Sequence, residues 1–514
     1  MASRPRSLGA GAISAGLLAL ILGPIAAVAF HAGGLSLGAA DLAALRFTLL
    51  QASLSALISA ALAVPVAKAL ARRRFPGRGL LITLMGAPFL LPVIVAVMGL
   101  ITVFGQAGWI NSLGQSLGLP RISIYGLHGV LIAHVFLNLP LAVRMILQGW
   151  LSIPAERFRL GQSLGFTPRD IARHIERPML AQLLPGVLAS IFAICLTSFA
   201  VALTLGGGPA ATTLELAIYQ AIRFEFDLAH AAGLALLQTG LGAVAALLAW
   251  QLAGMRAGPG AGLDRPSALM PPTGWRRIAD GFWLIFAAAF LLLPLTAMAL
   301  KGLPGLTALP ASVWPAALRS VTVALISAFL TVTLGMILVG AVARGGARWI
   351  EFSAVLPLAA SGMVLGIGLF LLVRPWIGPA QLALPVTLLV NVLMALPFVY
   401  RLLITPARNL EADYGRLAAS LGLVGFARIR LLTWPRMAAP IGFSAGLSAA
   451  LSMGDLGVIA LFAAPDQVTL PLLVQHLLGA YRIQAAAGAA LVLVALSFAL
   501  FWLLDAGGRY VQAR

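Results

Sequence analysis

Residues 159–178 read RLGQSLGFTPRDIARHIERP, and residues 416–435 read RLAASLGLVGFARIRLLTWP. Both open on Arg-Leu, carry Ser-Leu-Gly four places on and close on a proline, and Gly422 lies 257 residues after Gly165 in a chain of 514. Working outward, Pro140, Arg144, Pro154 and Glu156 precede the first copy as Pro397, Arg401, Pro406 and Asp413 precede the second. The first proline is 25 residues before the glycine in both copies, and the closing Pro178 or Pro435 is 13 after it. A polar, arginine-bearing segment repeated between apolar runs implies two like halves, each presenting one docking element on the same side of a membrane.

Composition sets the medium. With 61% hydrophobic and 10% charged residues and a mean hydropathy of +1.00, the chain has too little polar surface for a soluble globule. Backbone groups in lipid must be satisfied within their own segment, so long apolar runs here mean helices. Twelve such runs are expected, at 8–30, 46–71, 79–104, 125–150, 181–205, 230–254, 278–300, 318–343, 349–373, 382–404, 437–462 and 483–506. The first has Arg4 and Arg6 ahead of it and Ala27-Val28-Ala29 near its end. It is longer than a signal-peptide core and is read as a span.

The net charge of +19 does not point to nucleic acid. No basic stretch is long or interleaved with stacking aromatics. Most Lys and Arg residues instead fall on one side if both termini are cytoplasmic, with Arg72, Arg73, Arg74, Arg78, Arg276 and Arg277 at head-group level. Between the halves, 256–277 is rich in Gly and Pro and reads as a connector. The expected architecture is an all-α polytopic membrane protein, with twelve transmembrane helices in two parallel six-helix repeats at 1–255 and 278–514. The halves also match outside the docking segment. Arg46 and Arg319 open the second span of each, Leu91-Pro92 and Leu356-Pro357 fall in the third, Thr213-Leu214 and Thr469-Leu470 follow the fifth, and Ala232-Gly233 and Ala487-Gly488 enter the sixth.

Within the repeated segment, Ser152 or Thr405 is expected to cap a helix start, with Pro154 or Pro406 in its first turn. Gly165 and Gly422 stand where that helix must stop and turn, because glycine takes positive φ freely. Thr167-Pro168-Arg169-Asp170 restarts a helix in the first copy. Each segment thus reads as helix, sharp turn, helix, a stiff element able to transmit a push.

This segment resembles the EAA loop of bacterial ABC importer permeases of the binding-protein-dependent, MetI-like type, two of which are here fused in tandem. The Glu-Ala-Ala itself is replaced by Arg159-Leu160-Gly161 and Arg416-Leu417-Ala418. The resemblance implies that Glu156, Arg159, Gly161, Ser163, Leu164 and Gly165, with Asp413, Arg416, Ala418, Ser420, Leu421 and Gly422, dock onto two copies of a cytoplasmic ATPase subunit. ATP and Mg would be bound there, leaving no cofactor, catalytic residue or metal in this chain. Further stretches resemble the thiamine and thiamine pyrophosphate permease family, ThiP. They are Arg73-Arg74-Phe75-Pro76-Gly77-Arg78, Tyr125-Gly126-Leu127, Ala133-His134-Val135-Phe136, Leu205-Gly206-Gly207-Gly208-Pro209, Glu215-Leu216-Ala217-Ile218-Tyr219-Gln220, Gly454-Asp455 and Val458-Ile459-Ala460-Leu461-Phe462. That likeness implies a multi-pass permease of the bacterial inner membrane served by a periplasmic thiamine-binding protein. Ferric iron or another small solute is the alternative cargo, and an ion-coupled secondary transporter the alternative class.

The two lysines, Lys68 and Lys301, lie outside any phosphate-cradling motif. The six histidines show no metal-ligand spacing and read as loop or packing residues, and the lone Cys195 as packing. Asp455 stands out. A carboxylate near mid-membrane costs about 2.5–3.5 kcal/mol on insertion scales and needs a cavity or a partner. Ser198 and Phe199 hold the matching place in the first half, so Ser198, Phe199, Gly454 and Asp455 are the candidate translocation path. Asp455 with Phe199 would favour a thiazolium cation; packing against hydroxyls such as Ser452 is the equal alternative. The semi-polar stretches 206–229 and 463–482, with Glu215, Glu225, Asp227 and Asp466, are expected outside, meeting the binding protein or filling an outer gate.

Overall fold

The computed structural model describes residues 7–32, 37–86, 88, 90–208, 211–253, 274–464 and 467–513. Residues 256–273 of the expected connector lie outside the described residues, as do Arg4, Arg6, Pro209 and Asp466. Among the described residues there is no strand, and the protein is an all-α polytopic membrane protein. The first half comprises α1 (Ser7–His31), α2 (Ala39–Arg72), α3 (Arg78–Leu84), α4 (Val93–Phe104), α5 (Trp109–Ser116), α6 (Leu127–Leu151), α7 (Ala155–Ser163), α8 (Pro168–Ile171), α9 (Arg177–Leu196), α10 (Phe199–Leu205), α11 (Leu214–Arg223) and α12 (Leu228–Ala253). The second comprises α13 (Trp275–Gly305), α14 (Val313–Ala343), α15 (Arg348–Val355), α16 (Gly362–Val373), α17 (Pro379–Ser420), α18 (Gly425–Arg428), α19 (Trp434–Met453), α20 (Gly457–Phe462), α21 (Leu470–Gly479) and α22 (Ile483–Ala513).

Eleven helical stretches among the described residues are long and apolar enough to cross a bilayer, or twelve when the bent pair 348–358 and 362–373 counts as one. The fourth span of each half, α6 and α17, is the most enclosed, with 67% of its apolar window buried in both cases, against 28% for α13. The fourth spans therefore form the centre, and first spans such as α13 face lipid.

Two expected spans are not continuous. The run 79–104 breaks after α3, and the crossing length in the first half is 93–116, through α4 and α5. The run 349–373 breaks likewise between α15 and α16. Pro92 and Pro357 stand at these breaks and lack the N–H that a continuing helix would use. Ser361 caps α16 instead, its hydroxyl accepting from Met363 N at 3.1 Å. The fifth span of each half is also interrupted, at Thr197-Ser198 between α9 and α10 and at Gly454–Leu456 between α19 and α20.

The halves interlock reciprocally. Helix α1 packs on α16 of the other half, and α13 packs on α4 of the first. Both crossings rest on a glycine, since a Cβ on Gly368 would lie 2.3 Å from Pro24 O and one on Gly99 would lie 2.5 Å from Pro294 O. Where lipid is as apolar as the side chains, such backbone contact is what draws helices together. A second pairing repeats too. Leu214 N, at the start of α11, donates to Thr48 Oγ1 at 2.9 Å, and Leu470 N, at the start of α21, donates to Ser320 Oγ at 2.8 Å. Each bond satisfies one of the orphan donors of a helix N-terminus.

Candidate docking turns and the mid-membrane break

Helix α7 and the last turns of α17 end identically. Phe166 N bonds Gly161 O at 2.8 Å and Gly165 N bonds Gln162 O at 3.0 Å; Leu423 N bonds Ala418 O at 2.9 Å and Gly422 N bonds Ala419 O at 3.1 Å. With φ of +71° at Gly165 and +64° at Gly422, both are Schellman turns. Ser163 and Ser420 each donate to a carbonyl of the last helical turn, Leu160 O and Leu417 O, at 2.9 Å. Gly161 and Ala418 are the buried members of the set. A Cβ on Gly161 would meet the Phe166 ring at 3.1 Å. The small residue that replaces the second alanine of the motif is thus matched to the side chain just past the turn, Gly with Phe in one copy and Ala with Leu in the other. Glu156, Arg159, Ser163 and Gly165 are exposed, as are Asp413, Arg416, Ser420 and Gly422. So are Leu164 at 63% and Leu421 at 64%.

The entry into the two turns differs. Ser152 does not cap α7; its hydroxyl donates to Gly149 O, and Pro154 occupies the cap position. Nor does Thr405 start a helix, because α17 runs unbroken from Pro379 to Ser420 with Pro406 inside it. Leu403 and Ala407 are buried on either side of that proline, so packing carries the helix past the one missing bond. The expected helix start before the second repeated turn is therefore absent, while the turn after it is kept. Beyond the first turn, Thr167 and Asp170 form the expected capping box, Thr167 N donating to Asp170 Oδ2 at 2.9 Å. Both copies then pass through one π turn, 172–176 and 429–433, before α9 and α19.

Ion pairs fix these segments to the spans. Glu176, in the first π turn, pairs with Lys68 and, at 3.5 Å, with Arg72 of α2. Arg73 reaches Asp280 of α13 at 3.1 Å, joining the halves. In the second copy Glu411 pairs with Arg428, and Arg436 lies 4.3 Å from the Tyr414 ring centroid. Burial, and then the charge of Arg428, lower the Arg344 pKa, against the pull of Glu411.

Polar residues of the interior gather at the helix breaks of the fifth spans. His134 bridges Ser55 at 3.1 Å and Ser198 at 2.7 Å. Asn391, 257 residues after His134, donates to Ser452 at 2.9 Å. Asp455 takes Gly457 N on Oδ1 at 3.2 Å, and its Oδ2 is buried with no partner. A Cβ on Gly457 would lie 3.8 Å from Asp455 Oδ1 and 3.9 Å from the Phe199 ring, so Asp455 and Phe199 of the other half border the same glycine. Gly454 instead faces Pro92, and Ser198 is held by His134. Glu215, in the semi-polar stretch expected outside, is buried on α11 and accepts from Ser361 of the other half. His134, read as a packing residue, is the buried hydrogen-bond bridge of this region, with Asn391 its polar counterpart at the 257-residue offset, and Tyr219, named only within a resemblance stretch, lies one turn beyond Glu215.

No family model matches the chain. It is 40% identical to the thiamine transport system permease protein ThiP of Escherichia coli over 484 residues, covering 90% of this chain and 88% of that one. The ThiP protein of Brucella abortus is 38% identical over 517 residues, covering 96% and 94%, and that of Haemophilus influenzae 34% identical over 476, covering 88% and 86%. A probable sulfate transport system permease protein of Zygnema circumcarinatum matches at 36% over 146 residues, only 28% of this chain. Near-full-length identity of this order, on a multi-pass helical frame with two matched turns, places the chain in the ThiP family of ABC importer permeases.

Proposed function

We propose that this permease moves thiamine and its phosphates from the periplasm to the cytoplasm. In this reading 1–255 and 278–514 are two parallel permease units joined by 256–277, with both termini and both docking turns in the cytoplasm. Two copies of an ATPase subunit, which bind ATP and Mg, grip Glu156–Gly165 and Asp413–Gly422, and this chain hydrolyses nothing. A periplasmic thiamine-binding protein delivers the cargo. The observation that supports the reading most is the paired Schellman turns with exposed Leu164 and Leu421, because apolar side chains presented to water on matched rigid turns suit a groove on a symmetric partner.

Reconstituted vesicles test it. With the ATPase subunit, the loaded binding protein and ATP, labelled thiamine accumulates; without ATP it does not. Accumulation driven by an ion gradient alone would favour a secondary transporter. ATP-driven uptake of ferric iron but not thiamine would keep the class and change the cargo.

A further inference from the structure

Two carboxylates are buried between the halves without a cation to balance them. Glu215, 3% exposed, has Ser361 as its hydrogen-bond partner. Asp455 accepts from Gly457 N on Oδ1, and its Oδ2 is buried without a hydrogen-bond partner. Neither takes part in any ion pair among the described residues. Elsewhere the chain pairs its buried acids, as Glu176 with Lys68 and Asp41 with His230. An uncompensated charge away from water is retained where function requires it.

The two acids flank one short stretch of α20. A Cβ on Gly457 would lie within 4 Å of both Asp455 Oδ1 and the Phe199 ring. The Phe199 ring lies 5.3 Å, centroid to centroid, from Tyr219. Tyr219 is four residues beyond Glu215 on α11, which puts both on one helix face. Gly362, next to the Ser361 that holds Glu215, would bring a Cβ to 3.9 Å from Val458 of α20. Three of the four side chains, Phe199, Glu215 and Tyr219, come from the first half and Asp455 from the second, so the cluster exists only where the halves meet.

We propose that Glu215, Asp455, Phe199 and Tyr219 form a seat for a flat organic cation, whose positive charge offsets one of the two carboxylates and whose ring lies against the two aromatic faces. The identity of the cation rests on the thiamine reading above. The seat favours the free thiazolium cation over its pyrophosphate ester, whose net negative charge the two acids repel.

Equilibrium binding of labelled thiamine to the solubilised permease, without binding protein, tests the seat directly. The wild type binds saturably, Glu215→Gln and Asp455→Asn bind at least tenfold more weakly, and Asp455→Glu stays close to wild type. A structural defect would weaken thiamine and thiamine pyrophosphate alike, whereas loss of the seat narrows the preference between them. Should the neutral variants not fold, Phe199→Leu and Tyr219→Leu carry the test, each weakening thiamine several-fold. Absence of saturable binding to the wild type, or equal binding by wild type and variants, overturns the seat. Failure of wild-type vesicles to import thiamine despite such binding overturns the cargo reading and leaves the seat standing.

Discussion

Gly368 lies so close to Pro24 that a Cβ on the glycine would sit 2.3 Å from the proline carbonyl oxygen, and the opposite crossing repeats this with Gly99 and Pro294 at 2.5 Å. The obstructing atom is backbone in both cases and cannot swing aside. Alanine is the better helix former by about 1 kcal/mol, but forcing two helices apart costs about 1–3 kcal/mol. Gly368→Ala and Gly99→Ala are therefore expected to lower the thermal unfolding midpoint of the solubilised protein. Gly240→Ala, with nothing within 4 Å, should leave it unchanged or raise it. Equal behaviour of all three would show that the close approach does not hold the halves together.

The turn after α7 and the matching turn after α17 allow a second expectation. Gly161→Ala places a methyl 3.1 Å from Phe166, tighter than ordinary contact. The second copy accommodates Ala418 with Leu423 in the corresponding place. Phe166→Leu should therefore relieve Gly161→Ala, with an interaction of about 0.5–1 kcal/mol in the double-mutant cycle. Hydrogen exchange at the amides of Leu164, Gly165 and Phe166 reads it, and additive effects would refute the pairing.

These turns were legible because a Schellman turn needs a glycine at a fixed place, and Gly165 and Gly422 announce it. The entry to the second turn through α17 was not, because Thr405-Pro406 has the local chemistry of a helix start while buried neighbours overrule it. The breaks at Pro92 and Pro357 were hidden by runs apolar enough to read as whole spans. Asp455 could be singled out because an acid in an apolar run is conspicuous. Glu215 could not, since its own segment is semi-polar and only the fold brings it to Ser361.

Thr48 and Ser320 hold the first N–H of α11 and α21 from the second span of each half. Thr48→Val and Ser320→Ala remove the acceptor and leave a buried donor, at a cost of about 1–3 kcal/mol each. Since the two contacts share no residue, the double variant is expected to lose the sum of the single losses. Denaturant midpoints measure this; a near-neutral Thr48→Val would mean that Leu214 N finds another acceptor.

The exposed leucines give the sharpest separation of fold from function. Leu164 and Leu421 are 63% and 64% exposed, so Leu164→Asp and Leu421→Asp remove little internal packing and should shift stability by less than about 0.5 kcal/mol. If both enter grooves on ATPase subunits, each substitution instead buries a charge at an interface, which costs several kcal/mol and weakens docking by more than tenfold. One substitution leaves the other docking site intact, so a single variant should retain one ATPase subunit per permease and the double variant none. Native mass spectrometry of the purified complex counts them. Full occupancy in the double variant would show that these turns are not where the ATPase is held.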